Sequence, residues 1–124
     1  MTIPQNYAYT SEHEWLDIDG DEARVGITAF AADALGDVVF VEIPAVGSQL
    51  TAGDACGEIE STKSVSDLFA PADGVVLEVN SAVVEDPSVL NLDPFERGWL
   101  FRMSLTSTPN VLTADEYEPL TNGA

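Results

Sequence analysis

Short runs of β-branched residues, each closed by glycine, proline or a turn pair, are the feature that most constrains this fold. The clearest runs are "DVVFVEIPAVG" at residues 37–47, "GVVLEVN" at 74–80 and "GWLFRMSL" at 98–105. This composition favours β-strands, and continuous apolar runs of this length are typical of largely buried ones. The first two runs open alike and lie on either side of Lys63, which indicates two related sheet halves. The sequence therefore predicts a mostly β fold.

Turn and capping signals place the other elements. Residues 12–28, "EHEWLDIDGDEARVGIT", alternate around the Asp-Gly pair at 19–20, which is a strong signal for a β-hairpin. Thr28 can cap a short helix that Gly36, suited to a left-handed conformation, would end. Residues 113–120, "TADEYEPL", are predicted to form a short capped helix or an ordered tail.

The length of the chain supports one domain. A chain of 124 residues with 45% hydrophobic content is long enough for one core and short for two. We expect a single domain over residues 1–124, with its core at 7–106 and a short helix or tail at 107–124. No apolar stretch approaches the roughly 20 residues that span a bilayer, and no cationic apolar leader is present. We therefore expect a soluble, unexported protein.

Single residues exclude several kinds of site. Cys56 is the only cysteine, so no internal disulfide can form, and we expect it to be a buried thiol on a strand. His13 is the only histidine, which leaves no metal-site pattern. Asn80 and Asn91 are predicted to lie in turns.

The charge balance restricts the partners. The chain has 22 acidic residues against 4 basic ones, giving a formal net charge of −18. Nucleic acid and anionic membrane surfaces are excluded as partners, because binding them requires clustered cations. Ordinary solubility, steering onto basic protein partners and adaptation to a salty cytoplasm all remain compatible with this charge.

Lys63 is the only lysine in the chain, in the segment "ESTKSVSDLFAP" at 60–71. Alternation over residues 55–63 predicts a strand that turns at the polar Ser-Thr-Lys-Ser tip, where a modifying enzyme or docking partner can reach a side chain. A primary amine can be acylated or can form a Schiff base, whereas a guanidinium is a poor nucleophile. A Schiff-base lysine needs a desolvated pocket, and the polar tip predicts the opposite.

The motifs resemble those of one known family. The segments "HEW", "VGIT", "LGDVVFVEIPAVG", "GEIESTKSVSDLFAP", "GVVLEVN" and "VLN" followed by "GWL" have the order and spacing of the H proteins of the glycine cleavage system. The resemblance runs from residue 13 to residue 100 and implies a lipoyl/biotinyl-type barrel-sandwich hybrid with short helices. It also implies that Lys63 carries lipoic acid in amide linkage, one group per chain.

By this resemblance the chain is a non-catalytic carrier. It would shuttle the aminomethyl group of glycine from a pyridoxal-phosphate glycine decarboxylase (P protein) to a tetrahydrofolate-dependent aminomethyltransferase (T protein). A dihydrolipoyl dehydrogenase (L protein) would reoxidise the arm, and a lipoyl ligase or transferase would attach it. The resemblance implies a cytoplasmic monomer with no nucleic-acid or membrane partner.

The resemblance also assigns residues around the lysine. Glu14 and Asp67 match family positions that hold the charged end of the arm in a cleft. Glu60 and Ser61 match positions beside the lysine that help the lipoylating enzyme recognise its target, although turn chemistry alone would also explain them.

Two related functions stay open at this point. An H-like carrier could serve another lipoyl relay or donate lipoyl groups to other enzymes, since the sequence around Lys63 would look almost the same. A biotin carrier has a related fold, but its lysine typically lies between methionines, and Met1 and Met103 are far from Lys63 along the chain.

Overall fold

The computed structural model describes residues 3–107 and 109–122, which form two antiparallel sheets and short helices. In chain order the elements are β1 (Ala8–Tyr9), β2 (Glu14–Asp19), β3 (Glu22–Ile27), α1 (Ala29–Leu35), β4 (Val38–Glu42), β5 (Gln49–Leu50), β6 (Ala55–Ser61), β7 (Val65–Phe69), β8 (Gly74–Val79), α2 (Ser81–Glu85), α3 (Val89–Leu92), β9 (Phe101–Leu105) and α4 (Ala114–Asn122). The predicted mostly β fold with short helices is confirmed.

The larger sheet has six strands in the order β1-β2-β3-β9-β8-β5. The hairpin predicted around the Asp-Gly pair is β2–β3, in which Asp19 is opposite Glu22. Gly20 is the first of the two turn residues and has a φ of 65°, a conformation that glycine adopts without steric cost. The final strand, predicted at 98–105, begins only at Phe101.

The smaller sheet has three strands in the order β4-β6-β7. The run at 37–47 was predicted to be a largely buried strand, and this is wrong. Only Val38–Glu42 forms a strand, and the Val39 and Phe40 side chains are 54% and 48% exposed. The reason is that β4 is an edge strand with one face toward the core, and its pairing with β6 shifts register between Val38 and Phe40.

The core has two parts. The larger part is a mainly aliphatic cluster contributed by both sheets, with Leu16, Val25, Leu68, Val76 and the aromatic Phe101 among its fully buried side chains. The smaller part is aromatic and consists of Tyr9, Trp15, Ala114 and Tyr117. The rings of Tyr9 and Tyr117 stack with their centroids 4.8 Å apart, so α4 packs against β1.

The helix predicted after Thr28 is confirmed, whereas α2 and α3 were not predicted from the sequence. The Thr28 side chain accepts a hydrogen bond from the Ala31 N–H at the start of α1, and Gly36 ends this helix with a φ of 80°. Asn80 caps α2. Asn91, predicted to lie in a turn, is instead inside α3. None of the helices in the described residues is long and apolar enough to cross a membrane.

The C-terminal helix starts with a reciprocal pair of capping bonds. Thr113 Oγ1 accepts from the Glu116 N–H at 3.2 Å, and Glu116 Oε1 accepts from the Thr113 N–H at 2.9 Å, which is a capping box. The helix or tail predicted at 113–120 is therefore a helix. Of the longer predicted tail, Thr108, Gly123 and Ala124 lie outside the described residues, as do Met1 and Thr2 of the predicted domain. The single-domain extent over 1–124 stays a prediction.

The close approach of β8 and β9 at Gly74 yields a stability prediction. A Cβ atom at this position would collide with the backbone carbonyl oxygen of Ser104. We expect Gly74→Ala to lower the free energy of unfolding by roughly 1–3 kcal/mol, as overpacked sites do. Chemical denaturation measures this change. As a control, Ser81→Ala, at an exposed position on α2, should change stability by less than about 0.5 kcal/mol. Equal losses in the two variants would contradict the steric argument.

Candidate functional site

Lys63 lies in the turn between β6 and β7, and its side chain is exposed. Ser61 organises this turn. Its Oγ atom accepts from the Lys63 N–H at 3.1 Å and the Ser64 N–H at 3.0 Å, and donates to the Ser64 carbonyl oxygen at 3.2 Å. The Ser61 N–H donates to the same carbonyl at 2.8 Å. The backbone of Lys63 is thus held in place while its side chain is exposed.

The turn at residues 61–64, which we call the lysine turn, is hydrogen-bonded to the segment that follows α1. The Thr62 N–H donates to the Asp37 carbonyl oxygen at 3.0 Å. The Lys63 side chain crosses Gly36 so closely that a Cβ at Gly36 would lie 2.8 Å from Lys63 Cε. Gly36 has φ 80° and ψ −152°, a combination almost confined to glycine. Both the backbone conformation and the contact with the lysine therefore require glycine here.

A cleft of about 300 Å³ begins at the lysine turn and runs between α1, the start of β2 and β7. β7 is an edge strand of its sheet, so the cleft follows an unpaired strand edge. Apolar side chains of α1 and carboxylates from the other two elements share its wall. The lining residues are Glu12, His13, Glu14, Ile27, Phe30, Ala31, Ala34, Leu35, Ile59, Ser64, Val65, Ser66, Asp67 and Leu68.

Glu14 supplies the buried carboxyl group of this cleft, since the residue is only 2% exposed. Its Oε1 accepts from the Thr10 hydroxyl at 3.1 Å and its Oε2 from the Phe69 N–H at 3.0 Å. Burial raises the pKa of Glu14 to about 8, although both hydrogen bonds act in the opposite direction and the negative charge of Glu12 adds to the rise. At neutral pH the carboxyl group is therefore largely neutral.

His13 and Tyr117 support the cleft from behind. His13 has a φ of 66°, unusual for a residue other than glycine, and its Nδ1 lies 2.8 Å from the Tyr117 hydroxyl. The same hydroxyl lies 2.8 Å from Thr28 Oγ1, the cap of α1. Burial lowers the pKa of His13, against the opposing effect of Glu12. Through Tyr117, helix α4 thus holds two walls of the cleft.

The structure brings some of the predicted site residues together and leaves others apart. Glu14 and Asp67 line the same cleft, which the motif positions predicted. Glu60 lies outside it, on β6 between Phe40 and Val65. Ser61 supports the turn, and its role in recognition by a lipoylating enzyme stays a prediction.

Several supporting residues were not found from the sequence. Thr10 and Phe69 hydrogen-bond to Glu14, and Tyr117 hydrogen-bonds to His13. The spacing of these residues in the chain gave no signal of this. These contacts join residues as far apart as 104 positions.

Cys56 does not contribute to this chemistry. It is partly buried in β6 and unpaired. Burial raises the pKa of its thiol to about 12, and Glu14, which is ionised at that high pH, adds to the rise. A thiol with such a pKa is a weak nucleophile at neutral pH. Among the residues that the structure describes, no group of three His, Cys, Asp or Glu side chains is arranged to bind a metal ion.

The chain is similar throughout its length to one protein family. The family model described as glycine cleavage H-protein matches residues 7–122. A glycine cleavage system H protein of Beutenbergia cavernae is 59% identical, covering 99% of both chains. One from Thermobifida fusca is 55% identical, covering 99% of this chain and 98% of the relative. A crystal structure of a glycine cleavage system H protein from Mycobacterium marinum superposes with a TM-score of 0.92 at 50% identity, covering 98% of this chain and all of the other.

The raised pKa of Glu14 predicts a pH-dependent stability. In the unfolded chain the carboxyl ionises near its ordinary pKa of 4.5, but in the folded protein it stays neutral until about pH 8. Its contribution to stability is therefore complete below pH 4.5 and is lost as the pH rises through 8. Because Glu14→Gln removes the ionisable group, the variant should lose roughly 3–4 kcal/mol less stability than the parent between about pH 5 and pH 9.

Urea unfolding at both pH values measures the difference. Glu85→Gln, which replaces an exposed carboxylate on α2, is the control and should keep the parent's pH profile. Parallel profiles for Glu14→Gln and the parent would show that Glu14 is ionised in the folded protein.

Proposed function

Because this chain belongs to the glycine cleavage H-protein family, and is therefore the non-catalytic lipoyl carrier of the glycine cleavage system, we propose that Lys63 carries its lipoyl group. The observation that carries the proposal is the position of the only lysine. It lies at an exposed turn with a fixed backbone and an exposed side chain, directly beside the cleft.

The residues of the turn fit an attached arm. When bound, a lipoyl group supplies a strained cyclic disulfide that can be opened to accept the aminomethyl group of glycine. Ser61 holds the Lys63 backbone, so the base of the arm is fixed while its distal end can move. An exposed amine is also accessible to the enzyme that acylates it, whereas a Schiff-base lysine would be desolvated.

We assign to Glu14 and Asp67 the role of holding the cargo. The aminomethyl cargo carries an ammonium group, which an adjacent carboxylate stabilises. An ammonium entering the cleft would lower the pKa of Glu14, because an opposite charge favours the ionised form. Glu14 would then become a charged partner only when the cargo is present. Asp67, on the exposed side of the cleft, would complete the negative surroundings.

The proposed partners are the P, T and L proteins of the glycine cleavage system and a lipoyl ligase or transferase. Each must reach the arm, and the exposed lysine turn allows this. The net charge of −18 favours association with partners that present basic surfaces. The cytoplasmic location and the monomeric state stay predictions.

Replacing the lysine tests the attachment site. We expect Lys63→Arg to fold normally, to gain no lipoyl mass when treated with a lipoyl ligase, and to support no glycine decarboxylation with the partner enzymes. Arginine keeps the charge but is a poor nucleophile. Intact-mass spectrometry and decarboxylation of labelled glycine are the measurements.

A double variant with the same composition provides the control. Lys63→Arg combined with Arg97→Lys keeps one lysine but moves it to another exposed position. We expect no lipoylation there, because the Ser61-organised turn is missing. Full activity of Lys63→Arg would reject the attachment site, and lipoylation at position 97 would reject the importance of the turn.

Neutralising the cleft tests how the cargo is held. We expect Glu14→Gln and Asp67→Asn each to shorten the lifetime of the aminomethyl cargo on the protein by roughly tenfold or more, the effect of losing one charged hydrogen bond. Release of formaldehyde or ammonia from the loaded protein measures this lifetime. Glu58→Gln is the matched control, because Glu58 is opposite Asp67 in the sheet but does not line the cleft. If all three variants behave like the parent, the cleft carboxylates do not protect the cargo.

A further inference from the structure

Asn91 is joined to the lysine turn, although it lies far from it in sequence and belongs to another element. Its Nδ2 donates to the Gly36 carbonyl oxygen at 2.7 Å, and its Oδ1 accepts from the Val38 N–H at 3.0 Å. One side-chain amide thus holds the two peptide groups that flank Asp37. The helix α3, which contains Asn91, is otherwise exposed at this end, since Leu92 is 73% exposed.

The segment that Asn91 holds in turn holds the residue before the lysine. Asp37 accepts the Thr62 N–H at 3.0 Å, and its neighbour Val38 is opposite Ser61 in the sheet. A continuous path of hydrogen bonds therefore runs from Asn91 through residues 36–38 to the turn at Thr62. It is separate from the Ser61 bonds within the turn itself.

The same segment also supports the lysine side chain and one wall of the cleft. Gly36 lies directly under the Lys63 side chain, and Ala34 and Leu35 immediately before it line the cleft. A glycine has no side chain to restrict its backbone, so its conformation must be imposed by neighbouring contacts. The Gly36 N–H bonds within α1, and its carbonyl is held by Asn91.

We propose that Asn91 is a positioning residue for Lys63: by fixing Gly36 and Val38 it sets the position from which the lysine amine is presented to the lipoyl-attaching enzyme. The proposal rests on the assignment of Lys63 as the attachment site. Asn91 does not touch the amine or the arm. It acts through the backbone of residues 36–38 and Thr62.

The test compares lipoylation of apo-protein variants. The probe is free lipoic acid with ATP and a purified lipoate–protein ligase, and the measured quantity is kcat/KM for modification of Lys63. We expect Asn91→Ala to lower this value by about tenfold or more, because a misplaced reacting group lowers the rate steeply. Leu92→Ala, a truncation at the next position of the same helix, is the matched control and should keep the parent value.

Amide hydrogen exchange separates positioning from general destabilisation. With Asn91→Ala we expect faster exchange of the Thr62 N–H, and unchanged exchange of core amides such as Met103. Both experiments are done at a temperature where the variant is fully folded. If Asn91→Ala does not fold, Asn91→Asp keeps the acceptor for Val38 and removes the donor to Gly36, and the same two results are expected from it.

The outcomes distinguish this proposal from the assignment of Lys63. If the parent protein is not lipoylated at Lys63, the attachment site itself is wrong. If the parent is lipoylated and the Asn91 variants match it in kcat/KM, Asn91 is not a positioning residue, whatever the exchange data show. Slower lipoylation accompanied by uniformly faster exchange throughout the core would assign Asn91 a role in global stability only, and would also overturn the proposal.

Discussion

The carboxyl group of Glu14 is buried where the two sheets meet, and the arrangement of the site depends on it. Glu14 opens β2 of the six-stranded sheet, and its Oε2 accepts the N–H of Phe69 at the end of β7 in the three-stranded sheet. A buried polar group is costly unless it is hydrogen-bonded, so this contact and the bond from Thr10 fix how the sheets approach each other. The cleft lies beside this junction, and the burial that makes the junction also raises the pKa of Glu14 to about 8.

The site combines a rigid base with a free reacting group. The backbone around Lys63 is held by Ser61 within the turn and by Asp37 through Thr62, while the lysine side chain is exposed. A carrier needs this combination, because its arm must move between partner enzymes from a constant starting point. The cleft has a different requirement: it must bind the loaded end and release it. A carboxyl group that is neutral when the cleft is empty, and ionises when a cation arrives, meets that requirement without a permanently buried charge.

The sequence predicted features that depend on local signals and failed on those that depend on tertiary contacts. The predictions of the β2–β3 hairpin, of Thr28 as the cap of α1 and of Gly36 as its end were correct. Each feature is encoded by a few adjacent residues. The prediction that β4 is largely buried was wrong, since no local sequence signal shows that a strand lies at the edge of a sheet. The assignment of Asn91 to a turn was wrong for a similar reason. Its side-chain amide hydrogen-bonds to residues more than 50 positions away, which no local signal shows. The motif resemblance correctly identified the family, and it placed Glu14 and Asp67 on one cleft, but it gave no indication of the Tyr117 support.

The most direct test of this account is the pKa of the Glu14 carboxyl, measured by ¹³C NMR on protein with Glu-specific labelling. The signal is assigned by its absence in Glu14→Gln. The lipoylated protein is titrated first with the cleft empty and then loaded from glycine by the decarboxylase. The account predicts a pKa near 8 in the first state and a fall of about one unit or more in the second, as an ammonium enters the cleft. An ordinary pKa in the first state, or the same pKa in both, would contradict the claim that buried Glu14 becomes the charged partner of the cargo.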